Sequence, residues 1–413
     1  MSPQGRVENG TIMVVTATKQ GGWLTILVVY GIGLGAMSLV GILSPLAVRV
    51  TADLHAPAAA IGLTIALFSL PAAVMAMVGG GIVDRVGPRR TLVLAAPVLA
   101  LADAVVFLAR DVWLLDVGVL LAGVGYVGVL NGGAAMLMGS LDGAIRTKGM
   151  ALWSTYAPVG FSVGLLVAAP FTTAADWRVA PALHGAFMLL CCAGTLILPQ
   201  VPPRKAEGVP VRGQVTRLFA ALRRRDVLLL AVSAAMPSMI SYGTSLVAAT
   251  YLARVHGVSL AASASIVAVA KIAAVLLGGT VTGTLLARDF PPRTLFTIMV
   301  GVGMAAQFLL FFPGSPLTLA VVGLMGWLFT FGALSGVCMA AMPLVAGQAL
   351  GGGTVAGTVN QFVSLASFLT PTIYFASSAW GGYVAIALAG LALALVALPG
   401  VVSARRLAPV VSA

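Results

Sequence analysis

Long apolar runs separated by short polar breaks dominate the chain. Twelve runs are long enough to cross a hydrocarbon core, which takes about 20 apolar residues as a helix. They fall near 22–48, 57–80, 91–110, 112–138, 150–171, 180–199, 227–252, 261–286, 294–312, 317–343, 354–376 and 381–402. Strands of a membrane barrel run only about 10 residues, so these lengths exclude them. The pattern predicts an all-α integral membrane protein. The longest polar stretch, Gln200 to Asp226, holds Pro202, Pro203 and Pro210 and then a basic run at Arg223, Arg224 and Arg225. It divides six helices from six. The expected organisation is a tail over 1–20, a six-helix bundle over 21–199, a linker over 200–226, a second bundle over 227–403 and a tail over 404–413. Within the linker, Val215 to Arg225 can lie on the membrane surface as a short amphipathic helix. Gly10 to Thr18 is only weakly apolar and runs straight into Lys19. The first spanning helix is therefore expected to direct its own insertion.

Composition narrows the class further. Of 413 residues, 60% are apolar and 8% charged, against about 25% charged in a typical soluble protein. So few polar side chains cannot cover a core of this size in water. The net charge of +12 does not point to nucleic acid, because the basic residues sit in short loops with no interleaved aromatics. With the N-terminus inside, 18 Lys and Arg fall in cytoplasmic segments and 4 (Arg49, Arg110, Arg178, Arg254) outside. That bias places both termini in the cytoplasm. Cys191, Cys192 and Cys338 all lie inside apolar runs and cannot build a disulfide framework.

The two halves share a trace of duplication. At an offset of 203, Gly80 meets Gly283, Arg85 meets Arg288, Arg90 meets Arg293, Thr91-Leu92 meets Thr294-Leu295, and Trp177 meets Trp380. Parallel repeats of this kind build the two halves of one large transporter class. The loop Gly80-xxx-Asp84-Arg85-x-Gly87-x-Arg89-Arg90 resembles the signature between helices 2 and 3 of the major facilitator superfamily. The twelve helices, the long middle loop and the Asp176-Trp177-Arg178 turn fit the same family over about residues 20–405. The resemblance implies two pseudo-symmetric six-helix bundles in a bacterial inner membrane. It also implies that Asp84 and Arg85 serve as gate residues on the cytoplasmic side. Gly87 suits a tight turn. The second copy has Ala287 where the first has Asp84, so the gate contact is expected in the first half alone. Helix 5 reads Tyr156-Ala157-Pro158-Val-Gly160-Phe-Ser-Val-Gly164 and resembles the antiporter motif of that helix, with Ala157 in place of a glycine. Drug–proton antiporters usually carry an arginine in helix 4; Val119 to Gly123 has none.

Ionisable groups inside membrane helices are costly and usually functional. Lys271, near the middle of helix 8, has no carboxylate among its sequence neighbours. It can bind an anionic substrate or exchange a proton. Its bland alternative is a structural lysine on backbone carbonyls. Asp103 in helix 3 and Asp116 in helix 4 are candidates for the coupling proton, although helix 3 is peripheral in the family. Asp116 is equally well explained as a helix-end acid. His184, at the start of helix 6, is a further proton candidate on a peripheral helix. Neutral cavity candidates are Tyr30, Tyr126, Asn131 and Tyr156 in the first half. In the second half they are Tyr242, Asn360 and Gln361, alongside Ser241 and Thr244. Any of them can instead be interhelical packing glue. Small-xxx-small pairs at Gly31/Gly35, Gly128/Gly132, Gly160/Gly164, Gly279/Gly283 and Gly332/Gly336 permit close helix contacts. Pro158, Pro237, Pro343 and Pro371 are candidate kinks.

The chain has no nucleotide-binding glycine loop and no metal cluster or nucleophile elbow. No enzyme activity, cofactor or metal is expected. The expected function is ion-driven transport by a monomer, with a small-molecule substrate, protons as coupling ion and the lipid bilayer as partners. The first reading is proton-coupled export of a drug, metabolite or siderophore. The second is proton symport importing a small organic anion.

Overall fold

The computed structural model describes residues 19–141, 145, 149, 152–153, 155–173, 176–201, 222–286, 288, 290–350, 352–380 and 382–402. Twelve helices run through them. In the first half they are α1 (Lys19–Asp53), α2 (Ala58–Val86), α3 (Pro88–Leu108), α4 (Val112–Ser140), α5 (Tyr156–Ala168) and α6 (Val179–Thr195). In the second half they are α7 (Arg225–His256), α8 (Leu260–Leu286), α9 (Pro292–Phe311), α10 (Leu317–Leu350), α11 (Gly352–Trp380) and α12 (Gly382–Val402). No strand occurs among the described residues. The proposed surface helix lies outside them except for its last four residues.

The surface is inside out relative to a soluble protein. Trp113 is 81% exposed and Leu190 69%, as lipid-facing side chains should be. The helices end where their sequences require it. Gly87 takes φ 91°, a conformation that strains any residue with a Cβ. Its N–H bonds the Val83 carbonyl at 2.8 Å, and Pro88 then opens α3 at a position where no N–H is needed. Gly257 closes α7 in the left-handed region. Asp111 caps α4 by accepting from the Leu114 N–H at 2.8 Å.

The run expected over 150–171 is not one straight helix. A turn at Thr155 precedes α5, and a 3-10 segment, Ala169–Thr172, follows it. Pro158, in the first turn of α5, has no N–H to return to a preceding helical turn. The Thr155 N–H bonds Leu152 at 3.0 Å.

Glycines set the closest helix approaches. Gly160 and Gly164 of α5 lie against the Leu34 and Ser38 carbonyls of α1, and Gly35 of α1 lies against Met188 of α6. Gly128 and Gly132 seat α4 on α3, and Gly332 seats α10 on the Val275 carbonyl of α8. Gly279 and Gly283, in contrast, have no close neighbour among the described residues. Between the halves, α2 packs on α11 and α5 on α8. At the end that carries the Trp177 turn, Gly62 meets Phe375 and Pro371, and the Ser44 hydroxyl donates to the Leu246 carbonyl at 2.9 Å.

Candidate functional site

A cavity with about 180 Å³ of free space lies between the halves. Eight helices contribute to its wall: Met37 from α1, Phe68 from α2, Tyr126 from α4, Pro158 and Phe161 from α5, then Tyr242 from α7, Lys271 from α8, Phe331 from α10 and Ser367 from α11. The first half supplies mainly aromatic and apolar surface. The second supplies hydroxyls and the one charge.

Lys271 is 4% exposed. Its ammonium donates to the Ser245 hydroxyl at 3.0 Å and sits 4.1 Å above the centroid of the Phe161 ring in the opposite half. The Ser245 hydroxyl in turn donates to the Ser241 carbonyl at 2.7 Å. An ammonium has three donors, and one hydroxyl with one ring face leaves it short of full solvation. No carboxylate pairs with it among the described residues. Phe161 also meets Tyr242 edge to face, with centroids 6.1 Å apart, so the cation lies over a cross-half aromatic pair.

The other sequence candidates divide by position. Tyr126 and Tyr242 line the cavity, as do Ala157 and Pro158. Tyr156 sits behind that wall: its hydroxyl bonds that of Tyr126 at 3.2 Å, and its ring stacks on Trp153. Tyr30 bonds Thr155 at 2.9 Å, and the Asn131 amide donates to the Val127 carbonyl of its own helix. Neither lines the cavity, and nor does Gln361. Asn360 lines a second space of about 120 Å³ among α7, α10 and α11, which shares Ser238 and Val363 with the first. Asp116 accepts from the Thr64 hydroxyl of α2 at 2.5 Å.

Asp103 and His184 are brought together, away from the cavity. The His184 Nδ1 lies 2.8 Å from the Asp103 Oδ1, and its Nε2 lies 2.9 Å from the Gly35 carbonyl oxygen. The two lie 81 positions apart, and neither residue alone signals the other. On either side of the Gly87 turn, Arg85 at the end of α2 and Arg90 at the start of α3 are exposed. The Arg89 guanidinium donates to the Leu196 carbonyl at 2.8 Å, where the end of the α6 segment favours a cation. The side chain of Asp84 and the surroundings of Gly80 lie outside what the structure describes, as does Ala287. Arg288 is exposed.

The Major Facilitator Superfamily model matches residues 26–371. The chain belongs to the major facilitator superfamily. It is 22% identical over 197 residues to Multidrug resistance protein 1 of Bacillus subtilis (strain 168), a match that spans about half of each chain (47% and 50%). Its fold is similar to a crystal structure of a bacterial homolog of the human lysosomal transporter Spinster, in an inward-facing and unoccupied conformation. That likeness has a TM-score of 0.73 and 17% identity, and covers 93% of both chains. The superfamily fold makes this a multi-pass membrane transporter of small molecules and not an enzyme. In such a transporter, a cavity walled equally by both bundles is the expected place for a substrate.

Proposed function

We propose that this chain is a proton-coupled exporter, moving a small organic compound across the bacterial inner membrane by alternating access. The observation that supports it best is the cavity. Four helices of each half wall it, so rocking one half against the other must reshape it. Its free space is below the roughly 300–1,000 Å³ of drug-sized pockets, which favours a small solute. Aromatic faces from α4, α5 and α7 suit an apolar body, and the Lys271 ammonium suits an anionic group at one end. Export draws support from Pro158 and Ala157 on the cavity wall and from the Bacillus relative named for multidrug resistance. In this reading both termini are cytoplasmic, and the smaller space beside Asn360 extends the cavity toward that side. The turn carrying Asp84 and Arg85 acts as the gate. Replacing Asp84 with Asn then impairs transport far more than any substitution at Ala287, and equal effects would remove that assignment.

Lys271 also favours a second reading, import of a small organic anion by proton symport. One experiment separates the two. Everted vesicles and intact cells expressing the full chain are offered labelled organic acids, antibiotics and iron chelators under an imposed proton gradient. Accumulation in everted vesicles supports export, and accumulation only in intact cells overturns it. In either direction, Lys271→Met should abolish transport of the anionic compounds. Unchanged transport would remove Lys271 from the substrate site.

A further inference from the structure

We propose that Asp103 and His184 hold the coupling proton between them, at the junction of α1, α3 and α6, and that its release frees α6 from α1. This deepens the proton-coupled reading above and rests on it.

The hydrogen-bond geometry requires a shared proton. The Gly35 carbonyl can only accept, so the His184 Nε2 at 2.9 Å must carry a hydrogen. The Nδ1 then faces the Asp103 Oδ1 at 2.8 Å. Two lone pairs do not meet at that distance. One proton must lie between them, either on the carboxyl, donated to a neutral ring, or on the ring, donated to a carboxylate. Both forms are neutral overall. If that proton leaves, one of two bonds must go. A ring that keeps its hydrogen on Nε2 turns a lone pair to the carboxylate. A ring that moves it to Nδ1 turns a lone pair to the Gly35 carbonyl and loses α1. The remaining negative charge would also be buried, since Asp103 is 1% exposed, and its Oδ2 has no partner among the described residues. A buried unpaired charge is strongly disfavoured.

Among the described residues, no other charged group bonds either member of the pair; Arg49 of α1 donates to the Thr172 carbonyl. On α1, Tyr30 bonds Thr155, and Asp53 bonds Arg178 at the helix end. On α3, Arg89 and Arg90 stand at the opposite end. On α4, Asp111 caps its own helix and Asp116 bonds Thr64. On α6, Cys191 and Cys192 lie about two turns further along.

The pair is linked to the cavity through α1. Gly35 is two residues from Met37, which lines the cavity. The same helix seats α5 through Gly160 and Gly164 and touches the other half through Ser44 and Leu246. Loosening α6 from α1 therefore acts on a cavity wall and on a contact between halves.

Hydrogen–deuterium exchange tests this on the full chain in lipid nanodiscs, corrected for the intrinsic pH dependence of exchange. As pH rises from about 5 to about 10, the wild type should show one step. Amides around Gly35 and His184 should lose about tenfold in protection, the scale of a broken hydrogen bond. Asp103→Asn keeps a side-chain N–H donating to Nδ1 at every pH and should show no step. The double substitution D103A/H184A removes both partners, copies Ala306 and Ala387 at the matching positions of the second half, and should also show none. A step that persists in either variant, or no step in the wild type, overturns the proposal. A step confined to the wild type, with transport indifferent to a pH gradient, overturns the coupling role and the proton drive while leaving the proton site standing.

Discussion

The α1/α3/α6 junction of the first half and the α7/α9/α12 junction of the second are built with different chemistry. In the first, an acid and an imidazole bridge α3 to the Gly35 carbonyl of α1. In the second, the Gln307 amide donates to the Thr244 hydroxyl at 2.9 Å, joining α9 to α7, and Gly390 of α12 lies against the Gln307 side chain. The residues that match Asp103 and His184 are Ala306 and Ala387. Here the bond is made by a neutral amide and a hydroxyl, with no carboxylate or imidazole in it. Ionisable side chains are costly inside a membrane, so holding helices together does not explain the pair in the first half. The difference is what a proton-binding role predicts.

The sharpest way to break this comparison is to truncate one member on each side. Asp103→Ala leaves the His184 Nδ1 buried opposite nothing, and losing one partner of a buried ionisable pair costs about 3–5 kcal/mol. Gln307→Ala removes one neutral interhelical bond, worth about 0.6–1.7 kcal/mol in a membrane. Reversible unfolding in lipid or detergent should show the first variant far less stable than the second. Replacing both Asp103 and His184 by alanine should cost less than Asp103→Ala alone, because an unpaired partner, not the missing bond, dominates the loss. Equal costs for Asp103→Ala and Gln307→Ala would make the two junctions equivalent.

A second contrast concerns α5 and its counterpart α11. Gly160 and Gly164 press α5 on the α1 backbone, and the matching residues of α11 are Val363 and Ser367, which line the cavity instead. One half uses these positions for packing, the other for the site. Gly164→Ala puts a methyl into the Ser38 carbonyl and should destabilise by about 1–3 kcal/mol. Ser367→Ala should leave stability within about 0.5 kcal/mol and change which compounds bind, read by a thermal-shift panel. Loss of stability in both would show that the cavity face of α11 is packing after all.

Periodicity and hydropathy revealed the twelve helices, because each must span the same apolar thickness. The sequence-based ends missed where polar residues continue a helix beyond the apolar core, as in α1 from Arg49 to Asp53. Lys271 was legible for the reason that makes it interesting: a cation in an apolar run needs an explanation. Pro158 marked a break because its chemistry is local. The Asp103–His184 pair was not legible, because tertiary proximity leaves no periodic signal. Tyr30, Asn131 and Gln361 have cavity chemistry but not cavity positions. Rotation about a helix axis decides that, and a helix nearly uniform in hydropathy does not reveal which face turns inward.

The halves differ again at the Trp177 end. Arg178 bonds Asp53 at 2.8 Å and the Ala109 carbonyl at 2.6 Å, and the Trp177 ring nitrogen donates to the same Asp53 at 3.2 Å. This clasp ties the ends of α1, α3 and α6. In the second half His256 stands where Asp53 does, and the corresponding region is aromatic: Tyr251 meets His256, Phe311 and Tyr383 at centroid distances of 5.3, 4.9 and 4.6 Å. Asp53 is 44% exposed and Arg178 21%, so solvent screens the pair and Arg178→Ala should cost only about 1 kcal/mol. That cost should shrink as salt rises from about 0.1 M to about 1 M, where the Debye length falls from about 10 Å to about 3 Å. Tyr383→Ala removes apolar contact and should cost the same at both salt concentrations. Thermal unfolding of the two variants at low and high salt measures this. A salt-insensitive Arg178→Ala would mean that the carbonyl of Ala109, not the carboxylate of Asp53, is the partner that matters.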